Sequence, residues 1–324
     1  MKNLVVVAIG GNSLIKDKAH QTVEDQKKQI ERTCSHIADL IEKGFEVVIT
    51  HGNGPQIGFI LFRSDVAKDK IHEVPLDSCG ADTQGALGYQ IQQSLDNEFR
   101  KRGITKPVVS VVTQVEVDAQ DPAFCNPTKP IGQFFDKEDA ELLKKQGWKV
   151  IEDSGRGWRR VVASPQPKKI IELDAIETLV KNGFVVIAVG GGGIPVARNE
   201  QRDLVGKSAV IDKDLASSLL ASDIHAEKLI ITTSVEKVAL NFGKPEQQYL
   251  DELIVSEAKR YLQEGHFPAG SMGPKIQAAI DFLEHGGKEV IITSLEKVTD
   301  AVEGRTGTRI KEYPINNKEY STIK

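Results

Sequence analysis

The chain has 324 residues, of which 40% are apolar and 27% are charged, a composition typical of a globular protein with one large domain or two smaller ones. Its formal net charge of −4 argues against a nucleic-acid-binding protein, because such proteins usually present a strongly basic face. The longest apolar runs are too short to cross a bilayer, so no membrane partner is expected.

The three cysteines, Cys34, Cys79 and Cys125, lie far apart and form no C-x-x-C pair. This spacing indicates reduced thiols rather than a disulfide framework or a zinc site. A strand-like run begins within a few residues of the first residue, so we expect no signal peptide. We therefore expect a cytoplasmic protein that acts on small molecules.

Apolar runs rich in β-branched residues alternate with helical segments along the chain. Such runs are typical of parallel strands covered on both faces. The alternation predicts a mainly parallel central sheet between two layers of helices, a three-layer α/β/α sandwich. The six predicted strands are residues 4–9, 46–50, 108–112, 184–189, 228–232 and 289–293.

The first two predicted helices have clear end signals. Thr22 is a suitable N-cap for the first helix, and Gly44 ends it. An apolar stripe runs along this helix at Ile30, Ile37, Leu40 and Ile41. The second helix is predicted to follow Cys79 and to end near Gly103.

Residues 119–165, here called the lid segment, interrupt the alternation. The first half is proline-rich, which argues against regular structure, and the second half alternates around residues 154–157 as a β-hairpin does. Long excursions from an α/β sheet are usually functional, so we interpret the segment as an inserted lid. Residues 312–324 are polar and aperiodic and are predicted to form a weakly docked tail.

Glycine-rich loops follow three predicted strands, at residues 10–12, 51–56 and 190–196. The carboxyl ends of parallel strands face the ligand crevice, and glycine loops there offer backbone N–H groups to an anion. Each loop alone could equally be an ordinary tight turn. A dinucleotide fingerprint is not matched, because its third glycine falls one place late at Gly58. The candidate substrate- and phosphate-binding residues are Gly10, Gly11, Asn12, Gly52, Asn53, Gly54, Gly191 and Gly192.

These loops lack the lysine of a Walker-A motif, so a phosphate site needs cations from elsewhere in the chain. Lys213 lies between Asp212 and Asp214, where a short strand is expected to give way to a helix, and a carboxylate there suits a helix cap or a lysine partner. Lys275 lies at a predicted helix start, whose positive end favours an anion. Lys129 lies in the lid segment. For each lysine the alternative is a solvated surface position.

Other polar residues carry weaker signals. His51 precedes a glycine loop, and fixing that loop is the favoured role over contacting substrate. Arg156, Arg159 and Arg160 either flank the crevice when the lid closes or belong to a solvated hairpin. Cys79 is interpreted as a small buried residue rather than a catalytic thiol.

Seven stretches taken together resemble the carbamate kinases of the amino-acid-kinase superfamily. They are "AIGGNSL", "HGNGPQ", "LDSCGADTQGALGYQ", "EDSGRGWRRVVASPQP", "VGGGGIPV", "AVIDKDLAS" and "GHFPAGSMGPKIQAAI". The resemblance runs from the first strand to about Arg309 and implies the amino-acid-kinase fold over residues 1–324. By the same resemblance, residues 1–205 bind the phosphoryl acceptor, residues 206–324 bind the nucleotide, and residues 119–165 form a protruding lid.

The resemblance also implies an activity: reversible phosphoryl transfer between ATP and carbamate, giving ADP and carbamoyl phosphate, and used to make ATP. Related acetylglutamate-type kinases carry a lysine where this chain has Ala8. In carbamate kinases that charge comes from the protruding subdomain, where Lys129 matches. Lys213 and Lys275 would approach the nucleotide phosphates, and Asp212 would organise the lysines, so these four residues are the implied catalytic set.

The remaining implications concern nucleotide, metal and assembly. Ser234, Met272 and Gly273 are expected to join Lys213 and Lys275 in binding the nucleotide. No metal-ligating side chains are predicted, and Mg²⁺ is expected mainly on the nucleotide phosphates. A homodimer is also implied.

Some positions depart from the family pattern, and two other functions stay open. Ser234 replaces a frequent Asp or Gly, and Asp82-Thr83 replaces a frequent Met-Ser pair near a helix expected at the sheet edge or dimer surface. One alternative is a kinase of the same superfamily with another carboxylate acceptor. The other is a nucleotide-binding sensor without turnover.

Overall fold

The computed structural model describes residues 3–10, 14, 20–145, 147–153, 157–268 and 270–313. The strands are β1 (Leu4–Ile9), β2 (Glu46–His51), β3 (Val108–Ser110), β4 (Gln114–Val117), β5 (Lys129–Phe135), β6 (Val150–Glu152), β7 (Trp158–Val162), β8 (Pro167–Ile170), β9 (Val185–Ile187), β10 (Ile194–Arg198), β11 (Leu204–Gly206), β12 (Lys228–Thr233), β13 (Val238–Leu240), β14 (Gln248–Leu250), β15 (Glu252–Ile254), β16 (Glu289–Ser294) and β17 (Thr308–Lys311). The α-helices are α1 (Val23–Glu42), α2 (Gly54–Ala67), α3 (Leu76–Arg102), α4 (Lys137–Lys145), α5 (Leu173–Lys181), α6 (Lys213–Asp223), α7 (Val255–Gln263), α8 (Met272–Glu284) and α9 (Val298–Val302).

The central sheet has eight strands in the order β15-β17-β16-β12-β1-β2-β9-β3. Neighbouring strands are parallel except β16 and β17, and all six predicted strands belong to this sheet. Two of the predicted strands are shorter than expected. β3 ends at Ser110, and Val112 beyond it is exposed. β9 ends at Ile187 because the chain turns at Val189, whose φ is +53°.

Helices cover both faces of this sheet. Alternate residues of β1 enter two separate cores, because successive strand side chains point to opposite faces. One core packs against α5, α6 and α8 through Ile176, Leu220 and Ile276. The other packs against α1, α3 and α9 through Ile30, Ile91 and Val298. The predicted three-layer α/β/α sandwich is therefore confirmed.

The helix ends follow from local signals, with one correction. Thr22 caps α1 as predicted, since its Oγ1 accepts a hydrogen bond from the N–H of Asp25 at 3.1 Å. Gly103, in the left-handed conformation, ends α3 as predicted. The expected start after Cys79 is wrong, because α3 begins at Leu76, directly after Pro75.

The lid segment contains its own three-stranded sheet, in the order β5-β7-β6, with α4 between β5 and β6. The predicted hairpin is confirmed by the antiparallel pairing of β6 and β7, while the turn residues 154–156 lie outside the described residues. The expectation that the proline-rich first half of the lid segment lacks regular structure is wrong. Residues 129–135 form β5 because they pair with β7, a contact distant in sequence.

A smaller sheet has four strands in the order β11-β10-β4-β8, and none of them is among the six predicted strands. β10 pairs with β4 in parallel, and the other two pairings are antiparallel. The predicted C-terminal tail falls almost entirely on residues 314–324, outside the described residues. Within the described ranges, every helix is too short or too polar to span a membrane.

Candidate active site

The glycine loops meet at one edge of the central sheet, because they follow β1, β2 and β9, which are successive neighbours in it. Gly10 follows β1 and donates its N–H to Thr232 Oγ1 at 3.1 Å. The N–H of Gly52 donates to the carbonyl of Ile9 at 3.0 Å, which ties the second loop to the first strand. Gly54 begins α2. Gly11 and Asn12 lie outside the described residues.

The second and third loops touch through Asn53. A Cβ built on Gly191, whose φ is +67°, would lie 2.0 Å from Asn53 Nδ2, so only glycine fits there. A Cβ on Gly192 would lie 2.4 Å from the carbonyl oxygen of Ile211, next to Asp212. The structure thus brings the second loop, the third loop and the start of α6 into direct contact.

Two residues of α3 hold these loops, and the sequence assigned neither of them to the site. Thr83 Oγ1 accepts a hydrogen bond from Asn53 Nδ2 at 2.8 Å. Gln84 Nε2 donates to the carbonyls of Thr113 and Gly190, both at 3.0 Å. α3 packs against β3, the edge strand of the central sheet, as expected for the helix that carries Asp82 and Thr83, and the Thr83 side chain is buried beneath the loops.

His51 lies buried beneath the same loops. Its Nδ1 lies 3.1 Å from the carbonyl oxygen of Gly52, and a Cβ on Gly190 would lie 2.5 Å from its Nε2. The pKa of His51 is lowered to about 4, chiefly by burial and to a smaller extent by the charge of Lys213, against the opposing effect of the bond to Gly52. His51 is neutral at pH 7, and its contacts are those of a residue that fixes loops.

The buried state of His51 predicts a pH-dependent stability. The pKa of His51 in the folded protein lies below the ordinary histidine value of 6.5, so the unfolded chain takes up the proton first as the pH falls. The stability linked to His51 is full above pH 6.5 and is lost as the pH falls towards about 4. Between these limits, wild type should lose up to roughly 3 kcal/mol more unfolding free energy than His51→Asn. Urea unfolding at several pH values measures this; equal pH slopes would contradict it.

The three predicted lysines meet in one cluster built on two aspartates. Lys213 and Lys275, from the first turns of α6 and α8, donate to Asp214 Oδ1 at 2.5 Å and to Oδ2 at 2.8 Å. Lys129, the first residue of β5, pairs with Asp212 Oδ2. Asp212 also caps α6, accepting the N–H of Asp214 at 2.9 Å. The prediction of a short strand directly before Lys213 is wrong. Between β11 and α6, all of which the structure describes, Ala209 forms only an isolated bridge with Ala163.

Charge and burial make this cluster suitable for an anion. Burial lowers the pKa of Lys213, although Asp214 opposes the shift. Burial alone would also lower the pKa of Lys275, but the interaction with Asp214 outweighs burial, and the pKa of Lys275 is raised. Burial would raise the pKa of Asp214, but the two ammonium groups hold it well below its usual range. Three ammonium groups face two carboxylates, which leaves an excess positive charge of the kind that binds phosphate.

Asp214 is the residue of this cluster that the sequence assigned least well. The sequence indicates only that a carboxylate beside Lys213 can cap the helix or form a charge-assisted hydrogen bond with a lysine. The structure shows that it holds two lysines that are 62 residues apart along the chain. Only the proximity of α6 and α8, which pack against each other, reveals this.

The residues expected at the nucleotide belong to two different elements, the end of β12 and the start of α8. Ser234 is exposed, directly after β12. A cavity of about 430 Å³ lies beside it, lined by Val235, Glu236, Lys237 and Tyr249. Met272 and Gly273 form the start of α8, and the N–H of Gly273 donates to the carbonyl of Pro268 at 2.9 Å.

The hairpin arginines are partly buried within the lid segment. Arg159 donates to the carbonyl of Gly132, and the guanidinium of Arg160 lies 4.3 Å from the ring centroid of Trp148. Arg156 lies outside the described residues. Cys79 is buried as predicted, and burial raises its pKa to about 11, so the thiolate needed for catalysis is disfavoured.

The acidic side chains of the site, Asp212 and Asp214, form ion pairs with lysines. Among the described residues, no group of three or more His, Cys, Asp or Glu side chains is arranged to hold a metal ion. Asp212 pairs with Lys129, and Asp214 pairs with two other lysines. The donor set therefore suits a metal ion that arrives with phosphate oxygens of its own.

Comparison with known proteins gives a consistent result over most of the chain. The pattern that defines the amino acid kinase family matches residues 3–294. Carbamate kinase-like protein YahI of Escherichia coli is 53% identical over 314 residues, covering 96% of this chain and 99% of that protein. Carbamate kinase of Thermococcus kodakarensis is 51% identical over 310 residues, covering 94% and 98%. A solved structure of carbamate kinase from Giardia lamblia bound to AMP-PNP superposes with a TM-score of 0.87 at 43% identity, covering 95% of this chain and 98% of that chain.

Proposed function

The chain belongs to the amino acid kinase family, and from that premise we propose that it catalyses reversible phosphoryl transfer between ATP and carbamate, giving ADP and carbamoyl phosphate. One observation carries the choice of acceptor. The cation Lys129 comes from the lid segment and meets Asp212 beside the other two lysines, while Ala8 of β1 supplies no charge. The names of the similar proteins from Thermococcus and Giardia support the same reaction.

The chemistry requires alignment and charge stabilisation rather than a general base. A carbamate oxygen is already anionic, so it attacks the γ-phosphorus directly as the bond to the ADP oxygen breaks. The nearby side chains that could act as bases already have partners. Asp212 and Asp214 form ion pairs with lysines, and His51 Nδ1 is hydrogen-bonded to the carbonyl of Gly52. Lys129 and Lys213 would stabilise the charge that develops on the transferred phosphoryl oxygens.

In this proposal the two parts of the chain bind different reactants. Residues 1–205 bind carbamate and the transferred phosphoryl group, and the donors are Gly10, Gly11, Asn12, Gly52, Asn53, Gly54, Gly191 and Gly192. Residues 206–324 bind the nucleotide, with Lys213 and Lys275 at its phosphates and Ser234, Met272 and Gly273 at the rest of it. The contact between Gly192 and the segment before Asp212 supports this division, since it joins the two parts at the phosphates.

Mg²⁺ fits this site as an ion bound mainly to the nucleotide. Asp212 and Asp214 are neutralised by lysines, so the protein would contribute little direct ligation. When bound, Mg²⁺ would neutralise charge on the nucleotide phosphates. By family resemblance, we further propose a homodimer in the cytoplasm that makes ATP from carbamoyl phosphate; analytical ultracentrifugation tests the dimer.

The proposed acceptor predicts a selective forward reaction. With ATP and Mg²⁺, ammonium bicarbonate solutions, which contain carbamate, should support ADP release. N-Acetylglutamate and aspartate should leave ADP at the background rate, because β1 carries Ala8 where the acetylglutamate-type kinases carry a lysine. ADP release is measured with a pyruvate kinase and lactate dehydrogenase couple. Turnover with either amino acid and none with carbamate would assign a different acceptor, and no turnover at all with retained ATP binding would favour a sensor.

A further inference from the structure

The lid segment packs directly against α2 at two glycines, Gly58 and Gly132. A Cβ built on Gly58 of α2 would lie 2.2 Å from the Cα of Gly132 in β5, so the two backbones are in direct contact. α2 begins at Gly54, immediately after Asn53 of the second glycine loop. One turn of this helix therefore connects the candidate carbamate loop to the strand that carries Lys129.

The strand is bent where it touches α2. The pairing of β5 with β7 shifts register between Ile131 and Phe135, and Gly132 in this stretch has a φ of +73°. A bulge of this kind redirects a strand and is common next to active sites. Lys129 lies three residues before the bulge, about 10 Å along an extended strand.

Arg159 of β7 holds the bulge in place. Its Nε and Nη2 donate to the carbonyl oxygen of Gly132 at 3.2 Å and 3.0 Å, and its Nη1 lies 3.2 Å from Asp153 Oδ2. The guanidinium also lies 5.1 Å from the ring centroid of Phe134. A planar fork with two donors on one carbonyl fixes orientation in a way that a single ammonium does not.

We propose that the Gly58–Gly132 contact is the seat of the lid segment and that Arg159 is a positioning residue, which sets Lys129 against Asp212 at the reacting phosphoryl group. This inference rests on the proposed function and adds residues that touch neither substrate nor nucleotide. The seat and the lysine move together because β5 stays paired with β7 from Lys129 to Ile131.

Lys149 is the control for Arg159. It is an exposed basic residue of the same segment, its Nζ donates to the carbonyl of Cys125 at 3.2 Å, and it does not line the cavity that contains Gly58 and Gly132. Arg159→Met should lower kcat for ATP formation about 10- to 100-fold, since small misplacement of a catalytic group has effects of this size. The KM for ADP should change less than about twofold, because Lys213 and Lys275 stay on α6 and α8. Lys149→Met should retain the wild-type kcat, and Arg159→Lys should be intermediate.

A double-mutant cycle separates positioning from general damage. If Arg159 acts through Lys129, then Arg159→Met should add nothing to the loss of kcat caused by Lys129→Ala. Independent effects would multiply instead. That result would overturn the positioning role even if each single variant is slow.

Gly58→Ala tests the seat itself, and Gly85→Ala on α3 is its control, because a Cβ on Gly85 meets nothing within 4 Å. The only tryptophans of the chain, Trp148 and Trp158, lie in the lid segment, and Trp148 lines a cavity together with Gly58. Gly58→Ala should therefore shift tryptophan emission to the red and lower kcat. Gly85→Ala should do neither.

The outcomes distinguish this inference from the proposed function. Unchanged emission and kcat in both Gly58→Ala and Arg159→Met, with an active wild type, would overturn the seat. Unchanged kcat despite shifted emission would overturn the positioning of Lys129. A wild type that makes no ATP would overturn the proposed function, and the emission comparison would then still decide whether the seat exists.

Discussion

Lys129→Ala is expected to reduce ATP formation from ADP and carbamoyl phosphate by about 10²- to 10³-fold. Lys129 is the cation that the lid segment supplies, and its loss removes charge stabilisation that is needed mainly in the transition state. Lys213 and Lys275 keep their shared partner Asp214 in this variant. The affinity for ADP, measured by calorimetry, should therefore change less than about threefold.

Lys149→Ala provides the matched control for this prediction. Lys149 is an exposed lysine of the same segment, and its Nζ donates to the carbonyl of Cys125 at 3.2 Å. It should leave the rate of ATP formation at the wild-type value. A rate near wild type for Lys129→Ala would remove the lid lysine from the mechanism, and equal losses in both variants would point to general damage to the segment.

Asp214→Asn is expected to weaken both stability and activity. The substitution keeps the size of the side chain but leaves Lys213 and Lys275 without the carboxylate that each contacts. Removing one member of a buried ion pair costs about 3–5 kcal/mol of unfolding free energy, because a charge is left buried without its partner. Activity should fall as well, since the two ammonium groups repel each other and leave their positions.

Denaturant unfolding followed by circular dichroism measures this loss. Asp65→Asn is the control, because Asp65 pairs with Lys68 on the exposed surface and should leave the unfolding midpoint unchanged. Wild-type stability in Asp214→Asn would mean that the two lysines do not depend on this carboxylate. The assignment of Asp214 as their organiser would then be wrong.

The central sheet was predictable because its strands are buried on both faces. β1 is apolar throughout and fully buried, so the run of β-branched residues in the sequence corresponds directly to the strand. β5 and β8 were not predictable in this way. They contain prolines, glycine or lysines, and they become strands only by pairing with β7 and β4, which local sequence does not encode.

The same distinction applies to the site. Gly10 and Asn53 follow predicted strands, so parallel topology alone indicates that their loops lie at one edge. Lys129 could be linked to Asp212 only through family resemblance, because the two residues are 83 positions apart. Thr83 and Gln84 lie in a stretch that carries the family resemblance, but nothing in that stretch indicates their bonds to the glycine loops, which depend on how α3 packs over the site.

The most direct test of the central claim is the initial rate of ATP formation by the wild-type protein from ADP, Mg²⁺ and carbamoyl phosphate, coupled to hexokinase. The arrangement of Lys129, Lys213 and Lys275 around Asp212 and Asp214 predicts sustained ATP formation that depends on both substrates. No ATP above background, with ADP still bound in calorimetry, would contradict carbamate kinase activity.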